Sequence, residues 1–479
     1  MTFLEKYKRL PVSVKASLWY VVCSVLQRGI AFITTPIFTR LMTTEQYGQV
    51  TIYISWFEIF TIFATLNLYY GVYNNALNKY PADRDVVTSS MQGLCTTITV
   101  SMFVVYCALH TWINNLTGMS TIMTCMLFVE VLFVPAFRFW SARQRYEYKY
   151  RTLIVLSLLV SVLTPLLGVP AVLLSSEKGI AKIVTSVFSQ VIVAIALYVV
   201  IFRCGKIFYK KSYWKYALAF NLPLIPHYLS SMVLNQSDRI MIDKMCGTDK
   251  AGIYGLAYTI GALAIIFSEA IMNSYTPWTY QKLKSGNFGD IRKNTKYLAV
   301  FIGAVTVSLV TLAPELIWIL GGDKYAEGVW IIAPISASIY FRFLYSLYGN
   351  IEFYYEENYF IMVASVICAL LNIVTNYIFI KLYGYLAAGY TTLACFALYA
   401  FSHYVFSRHV FMKHTGQERL YDDGFIFLIS IIVVIICLAM MALYDLPTAR
   451  YMVIAVVLIC GIIFRNRILD LTKIVRKKI

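Results

Sequence analysis

Seven ionisable side chains stand inside stretches that are otherwise apolar: Arg28, Glu58, Glu130, His227, Glu269, Glu315 and Arg342. A charge at the centre of a bilayer costs roughly 2.5–3.5 kcal/mol on insertion scales, so each needs a partner or a wet cavity. The chemistry these residue types offer is ion pairing and proton holding. An unpaired guanidinium is hard to bury in protein, which favours a water-filled lumen for Arg28 and Arg342. Histidine is the residue type whose ordinary pKa lies near neutrality, and His227 has Glu269 as a candidate partner on the next span. Bond-breaking chemistry has no counterpart here. No HExxH, GxxxxGK[ST] or GxSxG motif occurs, so no catalytic residue is expected and ATP hydrolysis within the chain is not expected as a drive. The ten cysteines form no CxxC and no Cys/His cluster at zinc spacing, so no metal site is expected either.

Polar side chains line up around these charges. Ser24, Arg28, Ala31 and Thr35 recur at i, i+4, i+7 and i+11, which is one face of a helix. Ser338, Arg342, Tyr345, Gly349 and Glu352 repeat that spacing, and Asn221, Tyr228, Ser231, Asn235 and Asp238 share one side of a third segment. Such stripes either line a lumen or pack helix against helix. Pro223 and Pro226, just before His227, permit a bend.

The elements that must position these residues are membrane spans. The chain is 59% hydrophobic, only 14% charged and has a mean hydropathy of +0.68. Its apolar residues come in blocks long enough to cross about 30 Å of hydrocarbon. About fourteen spans are expected, from 17–38 to 447–464; the last is weakened by Pro447 and Arg450. With the N-terminus in the cytoplasm, most of the 41 Lys and Arg fall on inner segments, and both termini lie inside. The net charge of +17 thus belongs to the inner face, where it meets anionic membrane lipid. It gives no reason to invoke nucleic acid. One inner loop, "EFYYEENYF" from Glu352, is acidic instead, and acids weigh little in topology.

An internal repeat orders the spans. "TRLMTTEQYGQVTIY" starts at Thr39 and "DKMCGTDKAGIYGLA" at Asp243, an offset of 204. Arg40 meets Lys244, Thr44 meets Thr248, Glu45 meets Asp249 and Gly48 meets Gly252. Locally this reads as a turn between spans, with a Thr or acid capping the next helix. Globally it predicts two parallel six-span lobes, 1–202 and 217–410, joined by a basic cytoplasmic linker at 203–216. Two further helices and a basic cytoplasmic tail then occupy 411–479. The fold class is all-α and polytopic. Arg28 and Glu58 lie 16 residues before and 14 after Thr44, at depths within roughly 3 Å of each other, so a pair across spans 1 and 2 is expected as one alternative. Asp238 and Arg239, near the outer end of the seventh span, are candidates to close an outer gate by pairing with the first lobe.

Four segments carry a resemblance: "TPIFTRLMTTEQYGQV", "RFWSARQRYEYKYR", "SDRIMIDKMCGTDKAGIYG" and "LGGDKYAEG". On them the chain resembles the Wzx-type polysaccharide flippases of the multidrug/oligosaccharidyl-lipid/polysaccharide (MOP) exporter superfamily, over nearly its whole length. The resemblance implies two MATE-like six-helix lobes around a cavity, often with two extra helices, in a bacterial cytoplasmic membrane. It implies a cargo of oligosaccharide on undecaprenyl pyrophosphate, turned to the outer leaflet by alternating access for capsule, O-antigen or exopolysaccharide assembly. A polymerase and glycosyltransferases would be partners. Cavity cations would hold the pyrophosphate, a role open here to Arg28 and Arg342, with Gln27, Asn235 and Tyr345 as further cargo contacts. In-span acids outnumber in-span bases. Glu58, Glu130, His227 and Glu269 are therefore candidates to neutralise the cavity or bind a coupling H⁺ or Na⁺; no other cofactor is implied.

Two other classes compete. A cation-coupled multidrug antiporter of the same fold would favour an acidic first span, whereas this one carries Arg28 and no acid. A polymerase or ligase needs a large outer loop, and all outer loops here are short.

Overall fold

The computed structural model describes residues 11–463, all of whose regular structure is helical. The first ten residues and the basic tail beyond 463 lie outside the described residues, and so does the cytoplasmic placement expected for both termini. "Outer" below denotes the end bearing the Leu41–Thr44 turn.

Eleven helices build the first half. They are α1 (Val12–Leu41), α2 (Thr44–Thr65), α3 (Val72–Lys79), α4 (Arg84–Thr117), α5 (Thr121–Tyr146), α6 (Tyr150–Leu174), α7 (Lys178–Gly205), α8 (Lys211–Asn221), α9 (Ile225–Cys246), α10 (Thr248–Gly261) and α11 (Ala264–Lys284). Then follow α12 (Phe288–Thr311), α13 (Ala313–Gly321), α14 (Val329–Tyr354), α15 (Asn358–Tyr383), α16 (Ala387–Thr415), α17 (Asp423–Ala442) and α18 (Pro447–Ile463). Local chemistry fixes the boundaries. Thr43 caps α2 in a capping box with Gln46, each side chain bonded to the other's backbone N–H. Between α8 and α9 the Leu222–Leu224 turn is a 3-10 helix around Pro223, which lacks the N–H an α-helix would need. The α10–α11 span breaks at Ala262–Leu263 and bends by 42°.

Ten helices are long and apolar enough to cross a membrane, and the bent α10–α11 pair makes an eleventh. The chain is a multi-pass membrane protein. Three of the fourteen expected spans, those of α2, α16 and α18, fall short of that measure among the described residues. The reason is position. Helix α2 buries Thr51, Ser55, Thr61 and Thr65, and α16 buries Thr391, Thr392, His403 and Ser407, so neither has to be lipid-soluble all round. Helix α18 has 17 described residues. The lipid-facing helices are the apolar ones: α1 exposes Leu18, Val21, Val25 and Ile33, and α6 exposes Val155, Leu159 and Leu166.

Packing follows the repeat. In the first lobe α7 lies against α5 and α6, and α1 against α6; in the second α16 lies against α14 and α15, and α9 against α15. The segment expected as a linker at 203–216 is the end of α7, a turn and the first half of α8. It is docked on the first lobe: Trp214 Nε1 donates to Ser90 O (2.8 Å), and Lys210 and Tyr213 both bond Asp83. The hydrogen bonds from Tyr213 and Lys210 hold the Asp83 carboxyl below its ordinary range. Helix α17 packs on α12 and α14 and so extends the second lobe.

Candidate functional site

The two lobes meet chiefly at their outer ends, through α2 with α9 and α10, and α1 with α13. The repeat glycines make this possible. A Cβ on Gly48 would lie 1.9 Å from Thr248 O, and one on Gly252 would lie 2.1 Å from Thr44 O. Both positions are inside helices, where the two backbones cross in contact. Gly48 and Gly252 therefore lie beyond the turn and cap that the repeat marks. They are the crossing point of a pseudo-symmetric outer closure. Side chains reinforce it across the lobes: Thr39 Oγ1 donates to Leu320 O, Lys324 Nζ to Met42 O, and Ser55 Oγ to Gln236 Oε1 (3.2 Å).

The expected gate residues sit behind this closure. Asp238 is fully buried within the second lobe and accepts hydrogen bonds from Tyr254 (2.6 Å), Asn376 (2.8 Å) and Thr392 (2.9 Å). Arg239 bonds Asn235 O and Gln236 Oε1 on its own helix and lies over the Tyr258 ring, 4.0 Å from its centroid. Neither makes an ion pair with the first lobe. Gln236, which Arg239 bonds, carries the link to Ser55 of the first lobe.

Below the closure a cleft of about 240 Å³ separates α1 from the α10–α11 break. Arg28, Ala31 and Thr35 of the predicted α1 stripe line one wall, and Thr259, Ala262 and Leu263 line the other. Arg28 Nη2 donates to Glu269 Oε2 across the lobes at 2.9 Å, with the two side chains 42% and 51% exposed. This corrects two expected partnerships. Arg28 forms no pair with Glu58, which is half-buried on α2. His227 does not meet Glu269; its Nδ1 shares a hydrogen bond with Ser365 (3.1 Å). Equal depth along the bilayer did not bring Arg28 and Glu58 together, because rotation about each helix axis decides which faces meet. Gln27 points elsewhere again. It donates to Ser157 O and Ser161 Oγ on α6, at 3.2 Å each, and ties α1 into the first lobe.

The α14 stripe divides. Arg342 Nη1 reaches Asn235 Oδ1 on α9 (3.2 Å). Tyr345 packs its ring against Tyr399 in a tilted contact and lies beside His403 on α16, so it lines the interior of the second lobe. Arg28 and Arg342 thus have separate partners. Glu130 is buried in the first lobe, where Tyr53 (2.6 Å) and Gln190 (2.9 Å) donate to its two oxygens. Glu315 pairs with Arg450, which explains how α18 tolerates that arginine.

His403, Asn372, Asn376 and Thr392 went unremarked in the sequence, and Glu352 entered it only as the end of a polar stripe and the start of an acidic loop. His403 and Glu352 form a fully buried pair between α16 and α14, with Nδ1 2.9 Å from each carboxylate oxygen. Asn372, Asn376 and Thr392 complete the surroundings of Asp238. The i, i+4 spacing of Asn372 and Asn376 in an apolar span was the available signal. An apolar groove of about 620 Å³ opens between α14, α16 and α17, lined by Leu344, Ala397, Phe401, Phe427 and Ile431, with Asp423 among its lining residues.

Relatives agree with this architecture. The sequence pattern described as "Polysaccharide biosynthesis protein" matches residues 13–281. The chain belongs to that family. The MatE pattern also matches, over residues 223–378. The chain is similar to Haemophilus influenzae "Lsg locus putative protein 1", 29% identical over 165 residues. That match takes in 33% of this chain and only 40% of the relative's length. An uncharacterized membrane protein of the same organism is 23% identical over 380 residues, 75% of this chain and 88% of its own. Among solved structures, an inward-facing multidrug resistance MATE family transporter of the MOP superfamily superposes with a TM-score of 0.63 at 13% identity, covering 82% of this chain and 96% of its own. The lipid II flippase MurJ in an inward closed conformation gives 0.61 at 14% identity, with 94% and 99% covered. At such identities the likeness is one of fold, and that fold is the MOP-superfamily one the sequence resemblance implied.

Proposed function

We propose that this family member is a flippase. It moves an oligosaccharide on a polyprenyl pyrophosphate carrier from the cytoplasmic to the outer leaflet of a bacterial plasma membrane, by alternating access of its two lobes. The observation that carries this reading is Arg28, a half-exposed guanidinium near the middle of α1 in the interlobe cleft. An arginine so placed offers bidentate hydrogen bonds to a diphosphate. Arg342, half-buried and held only by the neutral Asn235, is the second cation proposed for the same group. The apolar groove along α17 suits the carrier's hydrocarbon chain. Capsule, O-antigen or exopolysaccharide assembly, with glycosyltransferases upstream and a polymerase downstream, is the pathway proposed. The buried acids Glu130 and Asp238 are the proposed sites for a coupling H⁺ or Na⁺, one in each lobe.

Translocation of a labelled lipid-linked repeat unit in proteoliposomes tests the reading. Arg28→Ala is expected to lower the rate at least tenfold, the effect of about 1.4 kcal/mol, and Arg342→Ala to lower it less. Wild-type rates in both variants would refute the assignment. One feature favours a second reading, a cation-coupled multidrug antiporter: each lobe buries an acid. Proton- or sodium-driven efflux of an organic dye, with no movement of the lipid-linked unit, would select it.

A further inference from the structure

The Arg28–Glu269 pair is unlike the other ion pairs of the molecule. Among the described residues it alone joins a membrane helix of the first lobe to one of the second; the rest act within a lobe or hold the linker and the last helix to one. Its position on the second lobe is also particular. Glu269 stands on α11, beyond the break at Ala262–Leu263. The two halves of that broken span are held differently. Helix α10 is pinned to α2 through the Gly252–Thr44 contact, whereas α11 rests on α12 and α14 within its own lobe. The ion pair therefore fastens α1 to the half of the span that the outer closure does not hold.

We propose that Glu269 is a displaceable counter-ion. With the cleft empty it occupies Arg28 and latches α1 to α11; the diphosphate of the cargo takes its place and frees α11 to swing about the 262–263 break. This rests on the reading that Arg28 meets the cargo's pyrophosphate. Three observations support the exchange. Both side chains are about half exposed, so a ligand in the cleft reaches them without unfolding anything. A part-exposed ion pair contributes little net stability, so it yields readily to a better anion. A diphosphate brings more charge and more acceptor oxygens to the guanidinium fork than one carboxylate oxygen does. The exchange also supplies what any ligand-driven motion requires, a difference in ligand affinity between two states: only the unlatched state leaves Arg28 free. Glu269 is thus a positioning residue for the conformational step and makes no contact with the cargo itself.

The test uses the full chain in lipid nanodiscs, with spin labels carried on non-canonical residues at the exposed positions 17 on α1 and 274 on α11. Undecaprenyl pyrophosphate is the probe. In the wild-type protein it is expected to lengthen the 17–274 distance. Glu269→Gln is expected to show the longer distance without any ligand and to bind the probe about two- to fivefold more tightly, the fold-change that matches loss of a part-exposed competitor. The exchange Arg28→Glu with Glu269→Arg is expected to restore the short ligand-free distance, which the probe then fails to lengthen. A folded Glu269→Gln protein with wild-type distance and wild-type affinity would overturn the latch while leaving the cargo reading in place. Failure of the wild-type protein to bind the probe would overturn the cargo reading, and the latch's role with it.

Discussion

In the first lobe Glu130 lies under the hydroxyl of Tyr53 on α2; in the second Asp238 lies under the hydroxyl of Tyr254 on α10. Helices α2 and α10 are the two that the repeat relates, yet the arrangements are not copies. The offset of 204 sets Val50 against Tyr254 and Tyr53 against Ala257. The acids arrive from different helices, α5 and α9. Glu130 accepts from two side chains, whereas Asp238 accepts from three on α10, α15 and α16. What the repeat does preserve is the glycine crossing at the outer closure. Gly48 and Gly252 each meet the other helix's backbone, and that contact is symmetric to within 0.2 Å, at 1.9 and 2.1 Å for the added Cβ atoms. The repeat thus relates the joint between the lobes, while the polar interiors have separate designs.

The largest effect should come from the shared element. Leucine at either glycine would place a side chain inside the opposing backbone, a clash well beyond the roughly 1–3 kcal/mol of ordinary overpacking. Gly48→Leu and Gly252→Leu should both abolish the outer closure and reduce transport by about a hundredfold, read as lobe separation by distance measurements across α2 and α10. If one of the two closed normally, the crossing would not be symmetric. The interiors should respond unequally. Asp238→Ala leaves three buried donors without an acceptor and Glu130→Ala leaves two, at roughly 1 kcal/mol or more for each. Thermal unfolding in a lipid-like detergent should therefore show the greater loss for Asp238→Ala; equal losses would erase the distinction between the lobes. Gln27→Ala should do least. It removes an α1–α6 tie worth about 0.6 kcal/mol in a membrane bundle and should leave cargo affinity unchanged. A weakened affinity would mean that Gln27 faces the cargo during part of the cycle.

Much of the scaffold was legible before any coordinates. The α1 stripe Arg28, Ala31 and Thr35 does line one cleft wall, because a period of 3.6 residues fixes which side chains share a face. The Leu41–Thr44 turn and the Gly247 turn fall where the repeat set them, because capping residues and glycines punctuate helices locally. The α14 stripe was read with the same periodicity and served less well. That face exists, but α14 is surrounded by its own lobe, so Tyr345 and Glu352 turn to α16 and only Arg342 reaches α9.

By itself, then, the sequence determined that the chain crosses a membrane many times, which connecting segments carry the basic excess, that two lobes repeat, and that hydrolytic motifs are absent. These are one-dimensional quantities: run length against bilayer thickness, charge by segment, and residue spacing along a helix. Tertiary structure alone decided partnership. Arg28 pairs with Glu269, 241 residues away, and not with Glu58 at similar depth on the next helix. Depth supplies one coordinate, whereas an ion pair needs three. The other two come from how each helix is rotated and which neighbour it packs against, and those are set by contacts between distant segments.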